Sequence, residues 1–151
     1  MDKNSYLISL SESEQTDFGR VDFADQSEPQ KIFSAIWDLE SQVNNGGFDQ
    51  YFRYTDSESI AFSPAALGVI GATKCAAIVG RAISLVFGAP IPATEDERLE
   101  RLDSLGDDAL PRLEEIDSDF FGYPDNLTDL LFAFVAQHPS AFGPIPNDCD
   151  A

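Results

Sequence analysis

The sequence predicts an all-α fold, one domain of about six helices around a buried, Ala/Gly-rich central helix. Three observations lead there. Apolar residues recur at spacings of three and four along most of the chain. Ser, Thr, Pro and Gly interrupt those runs where helices should start and stop. No alternating strand pattern or hairpin dipeptide lies between them. At 151 residues, with 43% hydrophobic content and 12 Phe, the chain can bury a core as a single domain.

Residues 1–26 are polar and acidic and read as an extended lead-in with room for one short helix. The helical domain is expected over 27–143, with a short tail at 144–151. Ser27-Glu28-Pro29-Gln30 has the form of a capping box. Ile32, Phe33, Ile36, Trp37 and Val43 follow at helical spacing, so a helix is expected over 28–44, ended by Asn45-Gly46. A short aromatic helix follows near 48–54. Ser63-Pro64 should open the next helix as N-cap and first helical residue, with a break at Gly71-Ala72-Thr73. The helix from there to Phe87 is apolar almost all round, which marks it as the central one. Its alanines and glycines should let it pack closely. After a stiff turn at 88–92, Thr94-x-x-Glu97 is a second capping box, leading into Leu99, Leu102 and Leu105. Gly106-Asp107-Asp108 restarts a helix with Leu110, Leu113 and Ile116, and Tyr123-Pro124 separates it from a last one stopped before His138-Pro139.

The charge is the most specific part of the composition. There are 27 acidic residues against 9 basic ones, a formal net charge of −18. Such a surface repels nucleic acid and anionic lipid and attracts basic partners. The acid is also segregated: residues 61–93 hold none, while 94–130 hold thirteen acids and three bases. Segregated charge makes a directed field. No run approaches a membrane span, Tyr6–Leu10 is too short for a secretory core, and two cysteines make no disulfide framework. A cytoplasmic protein is expected.

Catalytic constellations are sparse. His138, the one histidine, sits directly before proline at a helix end, and Cys75 lies in the most apolar helix as a small core residue. One His and two distant Cys cannot build a zinc site or a Cys-His pair. Asp117, Asp119 and Asp125 imitate a calcium loop, but Phe121 and Thr128 stand where ligands are needed. Adjacent acids among Glu114, Glu115, Asp117 and Asp119 read as a solvated face. The expectation is a non-enzyme without metal or cofactor.

Two patterns have geometry. In Asn44-Asn45-Gly46-Gly47-Phe48-Asp49-Gln50-Tyr51-Phe52, Asn and Gly tolerate positive φ while the three aromatics fall on one helical side. The string is a helix–helix corner, or a corner that offers Asn44, Asn45, Asp49 and Gln50 to a partner. Glycine and asparagine have a backbone reason to be there, which favours the corner. Further on, Asp96, Glu100, Asp103 and Asp107 follow i, i+4, i+7, i+11. On a helix reaching Asp107 they form a carboxylate stripe with a charge about every 5–6 Å. A duplex strand presents a phosphate about every 3.4 Å. An ordinary amphipathic helix has the same spacing, and Arg98 and Arg101 fit that reading.

At the corner motif the chain resembles a bacterial all-helical family, the DNA-mimic protein C-terminal-domain family. The matching residues are Glu40 to Phe52, then Leu67-x-x-Ile70-Gly71-Ala72 and the Ala-rich helix, Leu113 to Asp117, Phe120-Phe121, and His138-Pro139-x-x-Phe142, over about 28–142. The resemblance implies a cytoplasmic, non-catalytic protein, as a homodimer in one form, whose negative surface occupies the DNA-binding face of a transcription factor. The family pattern carries an asparagine two residues after the aromatic pair, where this chain has Arg53-Tyr54. Together these readings point to an acidic DNA mimic that sequesters a basic DNA-binding protein. Asp96, Glu100, Asp103, Asp107, Asp108, Glu114 and Glu115 would act as phosphate surrogates. The same composition fits an immunity or antitoxin-like inhibitor plugging a basic toxin. An enzyme using carboxylates or the Asn/Gln corner ranks last.

Overall fold

Eight α-helices and one 3-10 turn make up a computed structural model that describes residues 1–88 and 90–149. The helices are α1 (Lys3–Ser11), α2 (Glu28–Tyr54), α3 (Ser57–Val69), α4 (Thr73–Phe87), α5 (Glu95–Asp103), α6 (Ala109–Phe121), α7 (Leu127–Ala136) and α8 (Pro139–Phe142), with the 3-10 turn at Phe23–Asp25. No strand occurs among the described residues. None of the helices is long and apolar enough to cross a membrane. Ala89 of the expected 88–92 turn, and positions 150 and 151 of the expected tail, lie outside the described residues.

The central helix is α2, not the Ala/Gly-rich α4. α2 packs against α3, α5 and α6, and buries Phe33, Ile36, Phe48, Tyr51 and Phe52 completely. Each such side chain contributes on the order of 2 kcal/mol of burial. α4 instead leaves Lys74, Ala77, Arg81 and Ser84 in solvent. Its small residues predict close packing, but a Cβ added at Gly80 would meet nothing within 4 Å. Ala and Gly carry too little surface to tell a buried face from an exposed one.

The lead-in is more ordered than its polarity suggests. Asp2 caps α1 by accepting from the Ser5 amide at 2.7 Å, and Tyr6, Leu7 and Leu10 join the common core, with α1 packed on α7. Two caps also differ from expectation. The Ser27 side chain makes no cap hydrogen bond. Gln30 turns inward (5% exposed), accepts from the Asp17 amide and donates to the carbonyls of Gln15 and Ala141. It clamps the N-terminal loop to the far end of the chain. Likewise α3 begins at Ser57, so Pro64 is internal. Proline cannot donate to the carbonyl four residues back, and the Ser63 hydroxyl donates to that Ile60 carbonyl at 2.8 Å. Thr94 does cap α5, accepting from the Glu97 amide at 3.2 Å.

Inside α2 the helix breaks and resumes. Gly46 (φ −157°, ψ 24°) and Gly47 (φ 73°, ψ −174°) leave helical geometry, so the expected two helices abut without a loop. The Asp117 carboxylate from α6 accepts the Phe48 amide at 2.9 Å, filling the role of an N-cap for the second half. A Cβ on Gly47 would lie 2.6 Å from Asp117 Oδ2. Gly47→Ala is therefore expected to cost about 3 kcal/mol, combining positive-φ strain with displacement of the capping carboxylate. Gly80→Ala, in open helical surface, should gain about 0.5–1 kcal/mol. Urea unfolding of both variants measures the contrast; equal effects would remove the account of the kink.

Candidate functional site

At the corner, most polar groups of the motif bond to their own chain. Asn44 Nδ2 donates to the Tyr123 hydroxyl at 2.7 Å, and Gln50 Nε2 donates to Gln42 Oε1 at 2.8 Å. Asp49 accepts from Arg53 at 2.8 and 3.3 Å. Phe48 packs on Phe120 and Phe52 on Phe87, with ring centroids 5.8 and 4.9 Å apart. Asn45 is the member left exposed without a tie of this kind among the described residues. The Tyr123 backbone is held at φ 47°, unusual for a residue with a side chain, and its hydroxyl donates to Glu40 Oε2 at 3.4 Å. Burial pushes the Glu40 carboxyl up to about 7, with the Tyr123 hydrogen bond opposing.

The acids that imitate a calcium loop are engaged separately. Asp117 holds the Phe48 amide, Asp119 pairs with Arg81 at 2.8 Å, and Asp125 accepts from the Cys75 amide at 2.8 Å, at the start of α4. Burial raises the Asp117 carboxyl above the usual range and lifts the buried Cys75 thiol to about 11. His138 Nδ1 lies 2.7 Å from the Phe134 carbonyl and its ring packs tilted against Phe134, centroids 4.2 Å apart. No group of three or more His, Cys, Asp or Glu among the described residues is placed to hold a metal ion.

Of the expected carboxylate stripe, Asp96, Glu100 and Asp103 stand exposed on α5. The helix ends at Asp103, so Asp107 and Asp108 lie in the following turn, off the stripe but exposed. Three charges at these spacings span about 10 Å of helix. Arg53 joins Asp49 to Asp103 at 2.8 and 2.9 Å and removes one charge from the row. The neighbouring Tyr54 is 71% exposed. Glu114 and Glu115 are exposed on α6.

The two arginines of α5 decide how negative this face stays. Arg98 is 5% exposed and donates to the Phe52 carbonyl at 3.0 Å and to Ser57 Oγ at 2.6 Å. Arg101 donates to the Phe87 carbonyl at 2.9 Å. Both satisfy carbonyls in the last turns of α2 and α4, where helices present partial negative charge. Neither ion-pairs with a carboxylate among the described residues.

Sequence reasoning missed a second acidic element. Two adjoining pockets of about 310 Å³ each share Asp22, Phe23 and Asp56. One adds Asp38, Arg20, Ser34 and Ser59; the other adds Glu58, Glu95 and Arg98. Burial, and more weakly Asp56, raise the Asp38 carboxyl, while a hydrogen bond from Thr55 opposes. These five acids come from four separate stretches, so no local spacing could reveal them.

A family model described as DMP19-like protein matches residues 24–138. The chain belongs to the DMP19-like family. No curated protein and no solved structure matches it significantly. The DMP19-like match begins within the 3-10 turn and spans the kinked α2 and all of α3 to α7. α1 lies outside the matched stretch, although Leu7 packs in the same core.

The Glu40 environment makes stability depend on pH. An unfolded glutamate titrates near 4.3. Because its folded value is raised, Glu40 favours folding when protonated, and that contribution is lost as pH rises from about 4.5 to about 7. Glu40→Gln should flatten the loss across this window and stabilise the chain above pH 7 by up to about 3 kcal/mol. Thermal unfolding at stepped pH measures it, and parallel curves for the two proteins would contradict it.

Proposed function

We propose that this protein is an acidic, non-enzymatic decoy for DNA, which occupies the DNA-binding face of a basic protein such as a transcription factor. Membership of the DMP19-like family supports the reading, as does the formal charge of −18. The observation that carries it is local. Arg98 and Arg101 turn to backbone carbonyls and leave Asp96 and Glu100 exposed without ion pairs, with Asp107 and Asp108 beyond them. An ordinary amphipathic helix would use those arginines as surface counter-charges. Here the carboxylates keep their charge, and backbone and aromatic packing fix the helix that bears them. Glu95, Glu58 and Asp56 extend the negative surface towards the pockets shared with α3. A basic groove shaped for phosphates meets charge on a rigid support.

Affinity for such a partner should be salt-sensitive, falling on the order of tenfold as ionic strength rises from about 0.05 to about 0.2 M. The D96N/E100N/D107N/D108N variant should bind on the order of tenfold more weakly at low salt. The direct test is competition: a basic DNA-binding protein captured on this chain is mixed with labelled DNA, and gel mobility is followed as the chain is added. Release of DNA with increasing chain is expected. A ternary complex, or binding unchanged by salt, overturns the reading.

A further inference from the structure

We infer that Glu40, Asn44 and Tyr123 form a proton-operated latch on the connector between α6 and α7, residues 122–126. The latch is closed while Glu40 is protonated and loosens as Glu40 ionises. It is independent of the decoy. The connector is strained: Tyr123 is the one non-glycine residue at positive φ among the described residues, at 47°. Such backbone persists only where neighbours hold it. The Tyr123 amide donates to the Phe120 carbonyl at 3.0 Å, and the ring packs on Phe120 with centroids 6.0 Å apart. The hydroxyl accepts from Asn44 Nδ2 at 2.7 Å and donates to Glu40 Oε2 at 3.4 Å, long for a bond to a carboxylate. Gly122, Tyr123 and Pro124 are exposed, so the connector can lift without unpacking the core.

Glu40 is the titratable part, and it makes no ion pair among the described residues. A cavity of about 210 Å³ beside it is lined by Asn4 and Leu7 of α1, Trp37, Ser41 and Asn44 of α2, and Thr128 of α7. Lys3 of α1 is turned to Asp129 at 3.4 Å. From α4 and the connector come the Cys75 thiol and the Tyr123 hydroxyl, both raised by burial and so neutral below pH 8. Asp125, next to Cys75, accepts the Cys75 amide at 2.8 Å. With no cation to oppose it, burial raises the Glu40 carboxyl to about 7 against the Tyr123 hydrogen bond.

Ionisation changes which state is favoured. A carboxylate needs water, and lifting the connector lets water reach Glu40 through a cavity with four polar groups in its wall. Closed, the carboxyl titrates near 7; open and hydrated, it titrates at about 4.3. The closed state binds the proton more tightly, so closure is favoured at low pH and lost as pH rises. The ratio of open to closed connector grows about fortyfold from about pH 5 to about pH 7 and levels off above. Opening frees Asn44 Nδ2 beside the exposed Asn45, and draws Asp125 away from the amide at the start of α4.

The test is amide hydrogen exchange of the full chain by NMR at about pH 5, 6 and 7, corrected for the intrinsic pH dependence, with and without about 1 M urea. Protection of the Tyr123 and Cys75 amides should fall about fortyfold across this range and stay unchanged by urea, the mark of a local opening. The core amide of Phe52 should be at least about tenfold better protected and lose protection in urea. Glu40→Gln, which keeps the acceptor and removes the charge, should hold Tyr123 protection constant within about twofold. Asn44→Ala leaves Glu40 in place and should lower that protection about fivefold at every pH with the same slope. Protection independent of pH, a pH slope that survives Glu40→Gln, or urea sensitivity equal to that of Phe52 overturns the latch. If Glu40→Gln does not fold, Asn44→Ala decides: protection unchanged by that substitution removes the Tyr123 hydroxyl from the mechanism and overturns it.

Discussion

The fold depends on a carboxylate on one helix closing a break in another. α2 leaves helical geometry between Val43 and Phe48, both fully buried. Gly46 and Gly47 permit that break, and Asp117 satisfies the amide it exposes at Phe48. Once the joint is set, Phe48, Tyr51 and Phe52 lie fully buried against Phe120 and Phe87, which fastens α6 and α4 to α2. The Phe52 carbonyl is then presented to Arg98, which fixes α5. α5 and its acids thus inherit their position from the hydrogen bond that the Phe48 amide donates to the Asp117 carboxylate.

The arginines explain how a chain so rich in acid keeps its surface charge. A helix C-terminus carries unsatisfied carbonyls and a partial negative charge. Arg98 and Arg101 meet two such ends, and Arg20 meets the carbonyls of Glu12 and Ser13 just after α1. Cations spent on backbone stabilise the fold without cancelling side-chain charge. The exception is instructive. Arg53 binds two carboxylates and quiets Asp103. A charge row deduced from spacing therefore needs correction by whatever stands beside it in space.

Periodicity made the helical class, the α3–α4 break and the Gly46-Gly47 corner readable, because each depends on residues adjacent in sequence. What escaped was long-range. Ser27-x-x-Gln30 matched a local cap, but Gln30 serves a clamp across the chain to Ala141. Ser63-Pro64 matched a helix start, but the Ser63 hydroxyl replaces the missing proline donor and lets α3 run through. Small residues on α4 mimicked burial. The stripe over-reached because Asp107 shares its spacing but not its helix. The pocket acids were invisible for the same reason: Asp22, Asp38, Asp56, Glu58 and Glu95 become neighbours only when α2 brings α3 and α5 together.

That many carboxylates repel one another, and the position of the crowd limits the repulsion. Asp56 and Glu58 stand at the start of α3, and Glu95, Asp96 and Glu97 fill the first turn of α5. Helix N-termini carry about half a positive charge and favour acids there by about 0.3–1 kcal/mol each. Two such ends offset part of the mutual repulsion. They cannot cancel it, because five carboxylates face a combined dipole charge of about one unit. The remainder is not met by a salt bridge to Asp56, Glu58, Glu95, Asp96 or Glu97 among the described residues, and the guanidinium of Arg98 turns to the Phe52 carbonyl. Helix ends that favour acids in their first turns let these carboxylates gather between α3 and α5 without unfolding the chain.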